Sequence, residues 1–270
     1  MFQTVEPGSR VAGAGDLAAD SVAVTLDGRL ILQPTSLRFG RGAVVGILGH
    51  NGSGKTTLLK CLARQLMPTG GTVRLGGRPA GAWGPRPFAR QLAYLPQQTP
   101  ASTGLTGREL VAFGRYPWHG PLGRVGPVGR RAIADALRLS GTEAFADRLI
   151  DSLSGGERQR VWIAMLIAQE TGFILLDEPI AALDLKHQIE VLEVLRGLAR
   201  RRNTGIVLVL HDINMAARFC DRIVALRNGM VVAEGTPDDV MRADALEAIY
   251  DLPMRVFDAA VTGHRIGVPA

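Results

Sequence analysis

The chain has 270 residues, of which 46% are apolar and 21% charged, and it carries a formal net charge of +6. That length suits one large domain, or one with an inserted subdomain, and the apolar share supports a packed core and excludes wholesale disorder. The longest unbroken apolar run, Val161 to Ala168, falls far short of the roughly 20 residues of a bilayer-crossing helix, and no charged-then-apolar start signals export.

Residues 1 to 18 are rich in Gly and Ala without periodicity and read as a loose extension. Ser21 to Leu26 and Leu30 to Phe39 read as strands around the turn Asp27-Gly28. Ala43 to Leu48 is wholly apolar, the pattern of a strand buried on both faces. A Gly-rich loop follows, after which Leu58, Leu59, Leu62 and Leu66 fall on one helical face, with Pro68 just beyond it. Leu92 to Leu95 is a short strand before Pro96. From 98 to about 159, turns rich in Pro, Gly and Arg separate amphipathic pieces such as Arg131 to Leu139, and the stretch reads as an inserted, mainly helical subdomain.

The buried-strand pattern returns at Phe173 to Leu176 and at Ile206 to Leu210, with a helical stripe of Leu185, Ile189, Leu192, Leu195 and Leu198 between them. Arg222 to Leu226 and Met230 to Ala233 flank Asn228-Gly229, a hairpin signal. Strands alternating with helices predict an α/β domain with a largely parallel sheet, placed here at residues 19 to 258, with 259 to 270 as a C-terminal tail. Cys61 and Cys220 lack metal-ligand spacing and are expected as buried thiols in a reducing cytosol.

The positive charge could point to nucleic acid or an anionic membrane surface, yet the basic residues are scattered and Arg200 to Arg202 is the only run of three, so no nucleic-acid partner is expected. Of the 31 basic residues only Lys55, Lys60 and Lys186 are lysines. Lys55 sits in Gly49-His50-Asn51-Gly52-Ser53-Gly54-Lys55-Thr56-Thr57, which fits G-x-x-x-x-G-K-[ST]. Glycines let such a loop curl until its N–H groups converge on a phosphate, and the following helix adds roughly half a positive charge at its start. Lys55 would reach the β- and γ-phosphates as a flexible point charge, and the Thr56 hydroxyl would ligate Mg²⁺.

Asp177 and Glu178 follow the apolar run Phe173 to Leu176, so both emerge at the carboxyl end of a buried strand, where open α/β sheets bind ligands. Asp177 is expected to hold Mg²⁺ through its water, and Glu178 to orient or deprotonate an attacking water. His211 ends a second buried strand on the same edge and is expected to hold the γ-phosphate and that carboxylate in line. Gln97, after Leu92 to Leu95, is the remaining polar candidate for metal and water.

Leu153-Ser154-Gly155-Gly156-Glu157-Arg158-Gln159-Arg160 heads a long helix to about Gln169. Ser154 and Glu157 have capping-box spacing, but a second glycine-rich helix start is superfluous for one nucleotide unless it serves the γ-phosphate of another subunit. At these residues the chain resembles the ABC ATPase family over about residues 20 to 255: a P-loop NTPase core with an N-terminal antiparallel β subdomain and an inserted helical subdomain. The resemblance implies a head-to-tail homodimer with two ATPs between one copy's phosphate loop and the other's Ser154 and Gly156. It also implies that Asp184, in Ala181-Ala182-Leu183-Asp184, communicates between the sites. Ile180-Ala181 stands where the family usually has Thr-Ser, and Leu26 stands where it often stacks an aromatic residue on adenine. The second departure implies a mostly aliphatic base contact.

Gly114-Arg115-Tyr116-Pro117-Trp118-His119-Gly120, Leu92 to Gln98 and His211 to Arg218 are similar to one branch, the ATPases of bacterial iron(III)-siderophore uptake, most closely the hydroxamate type. That resemblance implies an integral-membrane permease docking between Gln97 and Ser154, a periplasmic or lipid-anchored siderophore-binding protein, and a place on the cytoplasmic face of the inner membrane. Importers of haem, cobalamin or another metal chelate, or a split exporter, are alternatives. A soluble ABC protein of translation or DNA repair would bring a second cassette, a long coiled coil or a cysteine cluster, and this sequence has none of them.

Overall fold

Val44–Leu48 (β3) is buried at every residue and stands near the middle of a six-stranded sheet. The computed structural model describes residues 15–100, 102–120, 123–181, 183–259 and 264–270. Before β3 come Leu17–Leu26 (β1) and Arg29–Phe39 (β2), and after it Lys55–Leu62 (α1), Gly70–Leu75 (β4), Arg78–Pro79 (β5), Pro85–Ala89 (α2) and Leu92–Leu95 (β6). The helical stretch follows: Gly107–Phe113 (α3), Tyr116–His119 (α4), Pro127–Leu139 (α5) and Gly155–Gln169 (α6). The chain returns to the sheet with Phe173–Leu176 (β7), Leu185–Arg202 (α7), Gly205–Val209 (β8), Ile213–Phe219 (α8), Arg222–Arg227 (β9) and Met230–Gly235 (β10). Pro237–Val240 (α9), Ala243–Tyr250 (α10), Met254–Ala259 (β11) and His264–Pro269 (β12) complete it.

The large sheet has the order β10-β9-β3-β8-β7-β6, parallel except for the β9–β10 hairpin. A second, antiparallel sheet has the order β2-β1-β4-β5. Alternation along the parallel strands divides the core in two. Val45, Ile47, Leu175, Val207 and Val224 face α1 and the antiparallel sheet. Val44, Leu48, Ile174, Leu176 and Leu208 face α6, α7 and the helices α3 and α5. Burial on both faces is why these strands read as continuous apolar runs rather than alternating ones.

The α/β core, the N-terminal antiparallel sheet and the inserted helices match the expected class. Local differences have local causes. The first helix stops at Leu62, short of Leu66, because Arg64 turns left-handed (φ 57°) and donates to the Ala80 and Trp83 carbonyls. Leu185 is exposed, so the stripe of α7 begins at Ile189. β1 starts at Leu17, inside the stretch expected to be loose, while residues 1–14 lie outside the described residues. Part of the segment set apart as a tail is β12, paired with β11 and tied to α8 through Asn214 and Gly267.

Candidate active site

All five parallel strands point one way, so the loops that follow β3, β6, β7 and β8 leave the sheet at one edge. Those loops carry residues 49–54, Gln97, Asp177 with Glu178, and His211. Of these, Asn51 to Gly54, Gln97, Glu178 and His211 line a cleft of about 540 Å³ together with Ile31 of β2 and Lys55, Thr56 and Thr57 of α1, whereas Gly49, His50 and Asp177 do not line it.

The loop's shape depends on glycine and on a distant hairpin. Gly49 has φ 142°, and a Cβ there would drive into the Leu226 carbonyl at the end of β9. The Asn228-Gly229 turn adopts φ 50° and 75°; Gly229 N–H donates to the Ser53 carbonyl at 3.1 Å, and its own carbonyl accepts from Gln33 N–H at 2.8 Å. The turn therefore braces the phosphate loop against β2. Lys55 is buried and its Nζ donates to the Gly49 and His50 carbonyls at 2.9 and 2.8 Å, which holds the ammonium inside the curl. Burial pulls its pKa down, opposed by the charges of Glu178 and Asp177.

Asp177 is 1% exposed. Its Oδ1 accepts from Thr56 Oγ1 at 3.0 Å, whereas its buried Oδ2 has no partner among the described residues. Burial pushes this carboxyl up, against the Thr56 hydrogen bond and the charges of Lys60 and Lys55. A hydroxyl beside a half-satisfied, buried carboxylate fits Mg²⁺, which favours one or two carboxylates with water and phosphate oxygens. Among the described residues no group of three or more His, Cys, Asp or Glu forms a self-sufficient metal cage, so the nucleotide would have to complete the coordination.

Glu178 has φ 49°, a left-handed conformation that costs a non-glycine residue about 1–2 kcal/mol. One hydrogen bond and one close polar contact hold it there: Gln97 Nε2 donates to Oε2 at 2.8 Å, and His211 Nε2 lies 2.7 Å from Oε1. Its side chain is 13% exposed and faces the cleft. A carboxylate at the mouth of a phosphate-binding loop, oriented on both oxygens, is poised to align a water for in-line attack.

Leu153, Ser154, Gly155, Gly156 and Glu157 do not line this cleft. Ser154 caps α6: Ser154 N–H donates to Glu157 Oε2 at 2.8 Å, and Ser154 Oγ accepts from Glu157 N–H at 3.3 Å. The turn is exposed at Ser154 and Gly155, with Leu153 anchored in the core. Asp184 caps α7, accepting from the backbone N–H of His187 at 2.9 Å and facing His187 Nδ1 at 2.8 Å. The His187 ring fills the space beside Gly156, where a Cβ would lie 3.1 Å from it.

These features fix the family. Residues 32–181 match the model of the ABC transporter family. The chain belongs to the ABC transporter family. As an ABC ATPase it binds and hydrolyses ATP. It is 42% identical over 264 residues to the hemin import ATP-binding protein HmuV of Rhodococcus jostii, covering 97% of this chain and 89% of that protein. It is 38% identical over 240 residues to the iron(3+)-hydroxamate import ATP-binding protein FhuC of Bacillus subtilis, covering 89% of each. The dimeric structure of the bacterial ABC transporter cassette MJ0796 superposes with a TM-score of 0.72 at 29% identity, over 82% of this chain and 98% of that one.

Several contributors to the ABC site were not legible as such in the sequence. Ile31, not Leu26, lines the cleft; Leu26 is 43% exposed beside the β1–β2 turn. Gly229 carried a turn signal but nothing that linked the turn to the phosphate loop. The unusual segment Gly114 to Gly120 closes the far end of α6. Buried Arg115 donates to the Ala168 carbonyl at 2.7 Å and pairs with Glu170 at 2.6 Å, and Trp118 Nε1 donates to the Gln169 carbonyl at 2.8 Å. A cation and an indole N–H at a helix C-terminus satisfy its orphan carbonyls.

Proposed function

We propose that this ABC ATPase works as a head-to-tail homodimer on the cytoplasmic face of the bacterial inner membrane, driving import of an iron(III)-siderophore of hydroxamate type through a separate permease. The ATPase domain runs from β1, which begins at Leu17 rather than at 19, to the β11–β12 hairpin beyond 258, with the helical insertion at 98 to 159. A binding protein delivers the ligand to the permease, and this chain touches neither nucleic acid nor cargo. Among the described residues no helix is long and apolar enough to cross a membrane, which fits a subunit that depends on a permease.

One observation carries the reading. Lys55, Asp177, Glu178, Gln97 and His211 converge on one sheet edge, while the capped Ser154-Gly155-Gly156 turn, exposed at Ser154 and Gly155, lies outside the cleft there. In the proposed dimer each phosphate loop receives ATP and the opposite turn covers its γ-phosphate, with Asp184 beside it relaying between the two sites. Thr56 and Asp177 would hold Mg²⁺, with Gln97 near it, and the ion would neutralise charge on the β- and γ-phosphates. Lys55 leaves the Gly49 and His50 carbonyls for the phosphates. Glu178 aligns the water and His211 keeps Glu178 and the γ-phosphate in register. The work is positioning and charge stabilisation, since phosphoryl transfer leaves little covalent chemistry to the protein.

The permease has a place to act. A groove of about 770 Å³ is lined by Lys60, Arg64, Phe88, Leu92, Tyr94 and Pro96. Its Tyr94–Pro96 wall runs directly into Gln97, so a permease helix seated there would bear on the residue that holds Glu178. The groove is N-terminal to the Gln97–Ser154 stretch expected for the permease, and this proposal extends the contact to it. The cargo reading rests on likeness to FhuC, and likeness to HmuV favours haem as the second reading. A deletion strain tested for labelled-iron uptake from several hydroxamates, ferric citrate and haem separates them. Loss confined to hydroxamates supports the proposal; loss confined to haem replaces it.

A further inference from the structure

Behind the phosphate loop, Tyr250 links the C-terminal elements to His50 and His211. Helix α10 buries Leu246 and Ile249 completely, and its last turn is clamped from β9. Arg227, the final residue of β9, donates to the Ala248 carbonyl at 3.1 Å and pairs with Asp251 at 2.7 Å. The clamp sets the direction of Tyr250, the last helical residue.

Tyr250 touches both halves of the site. Its ring stands edge-on to the imidazole of His50, with centroids 5.7 Å apart and an interplanar angle of 82°. His50 is the residue whose carbonyl holds Lys55 Nζ at 2.8 Å. The phenol hydroxyl donates a long bond, 3.4 Å, to the carbonyl of His211, whose imidazole is 2.7 Å from Glu178. The next residue, Asp212, caps α8 through Asn214 N–H and Met215 N–H at 2.7 and 3.1 Å. Asn214 then exchanges two hydrogen bonds with the Gly267 backbone in β12, at 3.1 and 2.8 Å. The segment after β8 is therefore held on one side by Tyr250 and on the other by the terminal hairpin. Burial, with Asp212 nearby, pushes the phenol up to about 12, so its hydroxyl remains a donor throughout the working range.

We propose that Tyr250 is a positioning residue for ATP hydrolysis: its ring on His50 and its hydroxyl on the His211 carbonyl fix the spacing between the phosphate loop and the histidine that holds Glu178. This rests on the roles given above to His211 and Glu178. It makes α10 part of the hydrolytic apparatus rather than a peripheral addition.

The test uses the full-length chain and the variants Tyr250→Phe, Tyr250→Ala and His211→Ala, alone and combined. Tyr250→Phe keeps the ring contact and removes one hydrogen bond. It should lower kcat by about 2- to 10-fold, leave the ATP KM within about 2-fold, and leave the melting temperature nearly unchanged. Tyr250→Ala should lose more, with Phe as the partial rescue. In the His211→Ala background, Tyr250→Phe should cost nothing further, because residues acting through one another are not additive. Parental kcat in both Tyr250 variants would overturn the proposal, as would an undiminished cost of Tyr250→Phe in the His211→Ala background. A rise in KM alone would overturn it too. Parental kcat in His211→Ala would remove the His211 assignment and the proposal with it, whereas an impaired His211→Ala beside silent Tyr250 variants would remove only the proposal.

Discussion

His211 Nε2 lies 2.7 Å from Glu178 Oε1, which joins the carboxyl ends of two adjacent parallel strands, β7 and β8, by a side-chain contact across the edge where the phosphate loop opens. With Gln97 on the other oxygen, neither Glu178 oxygen lacks a partner. Both carboxylate oxygens are thus oriented by side chains from other loops. A γ-phosphate that drew His211 toward itself would free Oε1 to receive a water without moving the backbone.

Glu178→Gln preserves volume and one acceptor oxygen while removing the proposed base. We expect ATP binding within about 3-fold of the parental chain and a loss of kcat of about 10²-fold or more, read by single-turnover hydrolysis. Turnover near the parental rate would remove Glu178 from the reaction.

Gln97→Ala should be milder. It deletes one hydrogen bond to Glu178 and leaves His211 in place, so kcat should fall by roughly 3- to 10-fold with Glu178 still required. A loss as deep as that of Glu178→Gln would assign Gln97 a larger share of the chemistry.

Asp177→Asn tests the metal site by binding rather than by rate. The orphaned Oδ2 of Asp177 lies beside the Thr56 pair, and Asn cannot offer two anionic oxygens. With Mn²⁺ as the probe, paramagnetic resonance titration in the presence of ATP should show protein-dependent binding lost by about 10-fold or more. Unchanged Mn²⁺ affinity would place the ion elsewhere.

Ser154→Asp separates the local role of the turn from its role across the dimer. Aspartate caps a helix as well as serine does, so the melting temperature should hold. The added charge would face the partner's γ-phosphate. In the Glu178→Gln background, ATP should double the mass measured by light scattering when Ser154 is present and fail to do so with Ser154→Asp. A dimer that forms equally in both would dismiss the trans assignment of this turn.

The buried thiols predict an alkaline limit to stability. Burial pushes Cys61 up to about 11 and Cys220 up to about 12, the latter with help from Asp221. A group whose folded value is raised stabilises the fold fully below its unfolded value, near ~8.5 for cysteine, and loses that contribution as pH climbs through the folded value. Urea midpoints should therefore fall between pH 9 and about 12. The Cys61→Ala, Cys220→Ala double variant should fall less steeply, the half-buried tyrosines Tyr94 and Tyr250 accounting for part of what remains.

Much of this site was open to reading because its parts obey local rules. Gly49 to Thr57 reveals a phosphate loop by residue type and spacing alone. Asp177, Glu178 and His211 fall on one edge because each follows an apolar run, and parallel strands buried on both faces must all end on the same side. Ser154 and Glu157 announce their cap by a spacing of three, and the structure forms it. The contributions that sequence left dark arise between segments far apart in the chain. Gly229 braces Ser53, Ile31 takes the wall that Leu26 leaves to solvent, Arg115 and Trp118 close α6, and Tyr250 spans His50 and His211. Periodicity and residue chemistry act over a few positions and so determine which elements form and which carry phosphate-binding groups. Which turn rests against which loop depends on sheet order and on how two cores share the faces of β3, and only the folded chain sets that.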